Sequence, residues 1–121
     1  MKTNKLAAAA LATLACAFAS QAWAHAKLQA STPKADSVVS AVPAQLRLQF
    51  NEPLELPFSQ VKLVDDKGVE LQPSRIAVDA ADPKTLVGVL PALHPGAWRV
   101  QWTTVTRDGH KVKGEFGFRV K

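Results

Sequence analysis

From residue 45 onward, apolar and polar side chains alternate one for one in four separate runs. Leu46, Leu48 and Phe50 are divided by Arg47 and Gln49, and Val61 and Leu63 flank Lys62. Trp98, Val100 and Trp102 alternate with Arg99, Gln101 and Thr103; Val112, Phe116, Phe118 and Val120 alternate with Lys113, Glu115, Arg119 and Lys121. A period of two turns one face of an extended chain to a core and the other to water, so these runs predict half-buried strands. Breakers separate them: Pro33, Pro43, Pro53, Pro57, Asp66-Lys67-Gly68, Pro73, Asp82-Pro83, Pro91, Pro95-Gly96 and Asp108-Gly109. No window carries helical periodicity. The pattern predicts an all-β domain of about seven short strands, an immunoglobulin-like β-sandwich or barrel. No repeat or linker divides it, and Trp98, Trp102, Phe50, Phe116 and Phe118 are expected to supply much of a modest core.

The first 24 residues follow another logic. Lys2 and Lys5 precede an apolar stretch from Leu6 to Phe18, and Ala22 and Ala24 put small residues where a signal peptidase reads. This predicts a secretory signal peptide over residues 1–24 and a mature domain over residues 25–121 that begins at His25. Cleavage would remove Cys16, the single cysteine, and leave no thiol for a disulfide or a soft metal. A lipid anchor on Cys16 is the competing reading, opposed by Thr13 where a lipoprotein signal carries Leu. The expected destination is a bacterial periplasm, with no membrane anchor, since no spanning apolar run remains after cleavage.

Loss of Lys2 and Lys5 removes two of 15 basic residues and none of the 10 acids, lowering the net charge from +5 to +3. Arg47, Lys62, Arg99, Lys113 and Arg119 fall on outward strand positions beside acids. That describes a solvated face, and no nucleic-acid partner is expected. Hydrolase and nucleotide chemistry lack their signatures, a G-x-S-x-G elbow and a Gly-rich phosphate loop.

Chemistry concentrates in three histidines. As a mature N-terminus, His25 would offer its amine and its imidazole Nδ1 to one metal in a six-membered chelate ring. Both groups lose protons to a competing metal near neutral pH, and such nitrogens suit Cu(II) in tetragonal N,O geometry. A frayed, solvated terminus is the plain alternative. Asp108-Gly109-His110 falls between two alternating strands, at a hairpin tip where Asp-Gly favours a turn. That accounts for Asp108 and Gly109 but asks nothing of His110. An Asp-x-His spacing on a turn lets carboxylate and imidazole converge, and with His25 it would give three nitrogens and one oxygen. His94, in Leu93-His94-Pro95-Gly96, has no acid or second His near it in sequence and reads as a surface-loop residue.

The start His25-Ala26-Lys27-Leu28, then Ser31-Thr32-Pro33, the strand Leu46-Arg47-Leu48-Gln49-Phe50, and above all Pro95-Gly96-Ala97-Trp98-Arg99-Val100-Gln101-Trp102 leading to Asp108-Gly109-His110 and Gly114-Glu115-Phe116-Gly117-Phe118 resemble the CopC-type periplasmic copper-resistance proteins. The resemblance spans essentially the whole mature chain. It implies a Greek-key fold and one Cu(II) ion per mature chain, held by His25, Asp108 and His110. The role it implies is that of a copper carrier or buffer, not an enzyme. A membrane copper transporter of the CopD type would then be a separate chain.

Departures from the family pattern carry information too. The chain has no Met beyond the initiator, so the Met-rich Cu(I) site of some members is expected to be absent. Thr106-Arg107 stand where the family commonly has Ser and a small residue, and Asp36-Ser37 replace a usual Gly near the first turn. Two rival functions compete with this reading. One is a copper monooxygenase acting on polysaccharides through an N-terminal His chelate, which needs an open coordination position and a flat aromatic surface; here Tyr is lacking and both mature Trp lie on an apolar strand face. The other is a structural immunoglobulin-like module with incidental histidines.

Overall fold

The computed structural model describes residues 27–121; the predicted signal peptide and His25 lie outside them. Nine strands follow in order: β1 (Leu28–Thr32), β2 (Val38–Val39), β3 (Gln45–Phe50), β4 (Gln60–Asp65), β5 (Glu70–Leu71), β6 (Ser74–Asp79), β7 (Asp82–Val89), β8 (Gly96–Val105) and β9 (Lys111–Val120). Seven have five residues or more, and β2 and β5 are two-residue edge pieces. Among the described residues the only helical element is a 3-10 turn, Leu56–Phe58. No helix among them is long and apolar enough to cross a membrane.

The strands form two sheets, β1-β3-β7-β6 and β2-β9-β8-β4-β5. β1 to β4 alternate between the two sheets, and β3 pairs with β7 and β4 with β8. These are crossover connections of the Greek-key kind expected of a sandwich. All pairings are antiparallel except β2 with β9. The turn into β2 holds Asp36 at φ 64°, a left-handed conformation that favours glycine. The Asp36 N–H donates to the Gly117 carbonyl at 2.7 Å, which fixes the turn against β9.

The core follows the period-two reading. Leu46, Leu48 and Phe50 of β3 face Val61 and Leu63 of β4, Trp98, Val100 and Trp102 of β8, and Phe118 and Val120 of β9. Phe116, expected inside, is only partly buried. Trp102 meets Phe50 edge to face at 5.8 Å and Phe116 at 6.3 Å, arrangements that aromatic quadrupoles favour. Its neighbour across the ladder is Gly114. A Cβ at Gly114 would lie 2.4 Å from one atom of the Trp102 ring, so the missing side chain is what admits the indole. Outward cations pair as expected of a solvated face: Lys62 with Glu70 at 3.1 Å and Arg47 with Asp79 at 3.3 Å.

The inward row of β8 does not stop at the aromatics. Thr104 and Thr106 continue it, 2% and 1% exposed. The Thr104 hydroxyl is satisfied by Ser59 Oγ at 2.7 Å. Thr106 forms an isolated bridge with Leu54 at the mouth of the hairpin.

Gly114→Ala is expected to destabilise the fold by about 1–3 kcal/mol, the usual cost of forcing an atom into a packed core. Chemical denaturation checks this, and an unchanged midpoint would mean that Trp102 has room to move.

Candidate metal centre

β8 and β9 pair without a break from Gly96–Val120 to Val105–Lys111. The five residues left over, Thr106 to His110, make the turn. The Gly109 N–H donates to the Thr106 carbonyl at 2.9 Å, and the Thr106 N–H to the His110 carbonyl at 3.0 Å. Gly109 takes φ 90°, the left-handed position such hairpin loops reserve for glycine. A turn closed this way places Asp108 and His110 on the same side of the tip. His110 Nδ1 lies 3.0 Å from Asp108 Oδ2, with both side chains more than half exposed.

The other carboxylate oxygen, Oδ1, accepts from the Thr106 hydroxyl. That hydroxyl, and next the His110 ring, lower the Asp108 pKa to about 2. The carboxylate is therefore charged throughout the range in which histidine titrates.

The start of the described chain reaches the same end of the sandwich. The Lys27 N–H donates to Asn51 Oδ1 at 2.7 Å, and the Asn51 N–H to the Lys27 carbonyl at 3.1 Å. Three residues on, Leu54 bridges Thr106, and the Glu55 N–H donates to the Val105 carbonyl at 3.1 Å. The segment Asn51–Glu55 thus ties β1 to the base of the hairpin. It also carries Glu52, a half-buried acid beside Asn51 that the sequence reading did not single out. Among the described residues, no three of His, Cys, Asp and Glu gather as a metal cage. The structure brings Asp108 and His110 together; His25 lies outside the described residues.

His94 stands apart, at the opposite end of the ten-residue strand β8, roughly 30 Å away by strand rise. It is half exposed, as a loop residue should be, but it has an acid that sequence distance concealed. Its Nε2 lies 3.0 Å from Oδ2 of buried Asp65, its Nδ1 2.8 Å from the Pro95 carbonyl, and its ring tilts over Trp98 at 4.8 Å. Both partners accept, so both ring nitrogens donate in the protonated imidazole. The Pro95 carbonyl first, then Asp65, raise the His94 pKa. Asp65 is lowered, chiefly by the Val69 N–H, then by His94 and the Lys67 N–H, against the opposing effect of burial. The pair joins the β4–β5 turn to the loop before β8, which is a structural task.

A two-sheet Greek-key sandwich with an Asp-His pair at its β8–β9 tip is the frame of one protein class. Residues 28–121 match the CopC domain, and the chain belongs to the CopC family. It is 41% identical over 107 residues to copper resistance protein C of Pseudomonas syringae pv. tomato, covering 83% of each chain. The fold is similar to that of CopC from Methylosinus trichosporium OB3b, with a TM-score of 0.71, 29% identity, and 80% of this chain and 94% of that one covered. It is also similar to PcoC, a methionine-rich copper resistance protein from Escherichia coli, with a TM-score of 0.68, 36% identity, and coverage of 81% and 100%. The present chain has one Met, the initiator, and so differs from PcoC in that respect.

A raised His94 pKa adds stability while the ring is protonated; that contribution is lost as pH climbs from the unfolded imidazole value through the folded one. Replacing His94 with Gln should cost most near pH 5.5 and progressively less above neutrality. Denaturation midpoints of both proteins at pH 5.5 and 9 check this, and a deficit that is the same at both would remove the charged pair from the account.

Proposed function

We propose that the exported protein is a periplasmic copper carrier or buffer that binds one Cu(II) ion through the His25 amine and imidazole, Asp108 and His110. The observation that carries this reading is the 3.0 Å approach of His110 Nδ1 to Asp108 Oδ2 on an exposed, backbone-fixed turn. Two donors bound at about 2.0–2.1 Å and at right angles stand about 2.9 Å apart. The pair therefore suits adjacent corners of a tetragonal ion, with copper taking the place of the proton between them. Lys27, held against Asn51 at the same end of the fold, is two residues from His25, and two residues reach at most about 7 Å.

The donor set supports the oxidised ion. Imidazole, amine and carboxylate suit Cu(II), and with no Met or Cys in the mature chain nothing soft is present to favour Cu(I). Four protein donors in the tetragonal plane leave little room for a reacting substrate, which favours carriage over turnover. Membership of the CopC family and similarity to proteins named for copper resistance support the same reading.

The test is Cu(II) affinity of the mature protein by competition titration. His25→Ala or His110→Ala should weaken binding by orders of magnitude, as should one extra residue placed before His25, because it moves the amine. His94→Ala should leave affinity unchanged. Equal losses from all three histidines would contradict the assignment.

Acid should release the metal as pH falls below about 6, through protonation of imidazole and amine. Asp108, already ionised down to about pH 2, takes no part in that loss. Affinity retained at pH 4 would indicate a carboxylate-dominated site elsewhere.

A further inference from the structure

Thr106, the first residue after β8, continues the strand's inward row at 1% exposed, and its hydroxyl is placed where the hairpin's chemistry begins. The hydroxyl donates its one proton to Asp108 Oδ1 and lies 3.3 Å from the His110 N–H, which it can accept. Its backbone N–H and carbonyl close the turn on His110 and Gly109. The bridge to Leu54 holds the residue in the sandwich. One buried side chain thus bonds both the Asp108 carboxylate and the backbone of His110.

We infer that Thr106 is a positioning residue for the metal centre, pinning Asp108 Oδ1 so that the carboxylate presents a single oxygen, Oδ2, beside His110. This rests on the copper reading given above and specifies how that site is built. A carboxylate on an exposed turn can otherwise rotate, offering both oxygens or swinging into water. With Oδ1 occupied, Asp108 is a one-oxygen donor of fixed direction, which matches a tetragonal ion and ill suits hard cations that take carboxylates in two-oxygen fashion. The inward period of β8 makes this arrangement: the strand buries residues 98, 100, 102 and 104, the next inward position is 106, and the hydroxyl there is buried while still bonding the turn.

Outer partners of metal ligands typically contribute 10- to 100-fold in affinity. Thr106→Val, similar in shape and lacking the hydroxyl, should lower Cu(II) affinity of the mature protein about 10- to 100-fold, and Thr106→Ser should restore most of it. The decisive comparison is a double-mutant cycle with Asp108→Ala. If Thr106 acts through that carboxylate, Thr106→Val costs nothing further once Asp108 is gone; a purely structural role makes the two losses multiply. Full affinity in Thr106→Val, or equal losses in both backgrounds, overturns the inference while leaving the copper site intact. A wild-type protein that fails to bind Cu(II) overturns the site itself, and this inference with it.

Discussion

The alternation of side chains along β8 is the constraint on which fold and site both depend. β8 is paired on both edges, with β4 and with β9, so its residues have only two directions to face. Trp98, Val100 and Trp102 face inward and tie the two sheets through contacts such as Trp102 against Phe50. The same direction carries Thr104 and Thr106 inward, where hydroxyls replace aromatics. A slip of one residue in this ladder would turn the indoles to water and swing Thr106 away from the turn. Core packing and hairpin chemistry are therefore set by one register.

The two ends of β8 use similar residues for different purposes. Before the strand, His94 and buried Asp65 satisfy each other, with every nitrogen of the ring engaged, and stitch a loop to the β4–β5 turn. After it, Asp108 and His110 approach one another on an exposed tip. A carboxylate and an imidazole 3.0 Å apart occur in both places. What distinguishes them is surroundings: a buried acid tied by two backbone N–H groups at one end, and at the other a solvent-facing acid steered by a single hydroxyl.

Much of this was legible in the chain. The runs that became β3, β4, β8 and β9 read correctly because each has a core on one side only, and the Asp-Gly turn lies between the two longest strands as its residues imply. β2 and β5 were not legible, since a two-residue ladder has no period to detect. The Asp65–His94 pair was hidden by 29 residues of separation. Thr106 was visible only as half of a departure from the family pattern, standing where Ser is common and beside the added charge of Arg107. Its signal was the continued count along β8, from Trp102 through Thr104, which places a polar residue on a buried position and asks what it bonds. Gly114 likewise reads as a gap in the β9 pattern until Trp102 is seen to fill it.

The proposed copper centre depends on nitrogen: an amine and two imidazoles would hold the ion, with one carboxylate completing the plane. Electron paramagnetic resonance of the Cu(II)-loaded mature protein counts these donors directly. The expected spectrum is that of a tetragonal ion with hyperfine structure from three nitrogens, one of which disappears in His110→Ala. A spectrum dominated by oxygen ligands, or one that His110→Ala leaves unchanged, would contradict it.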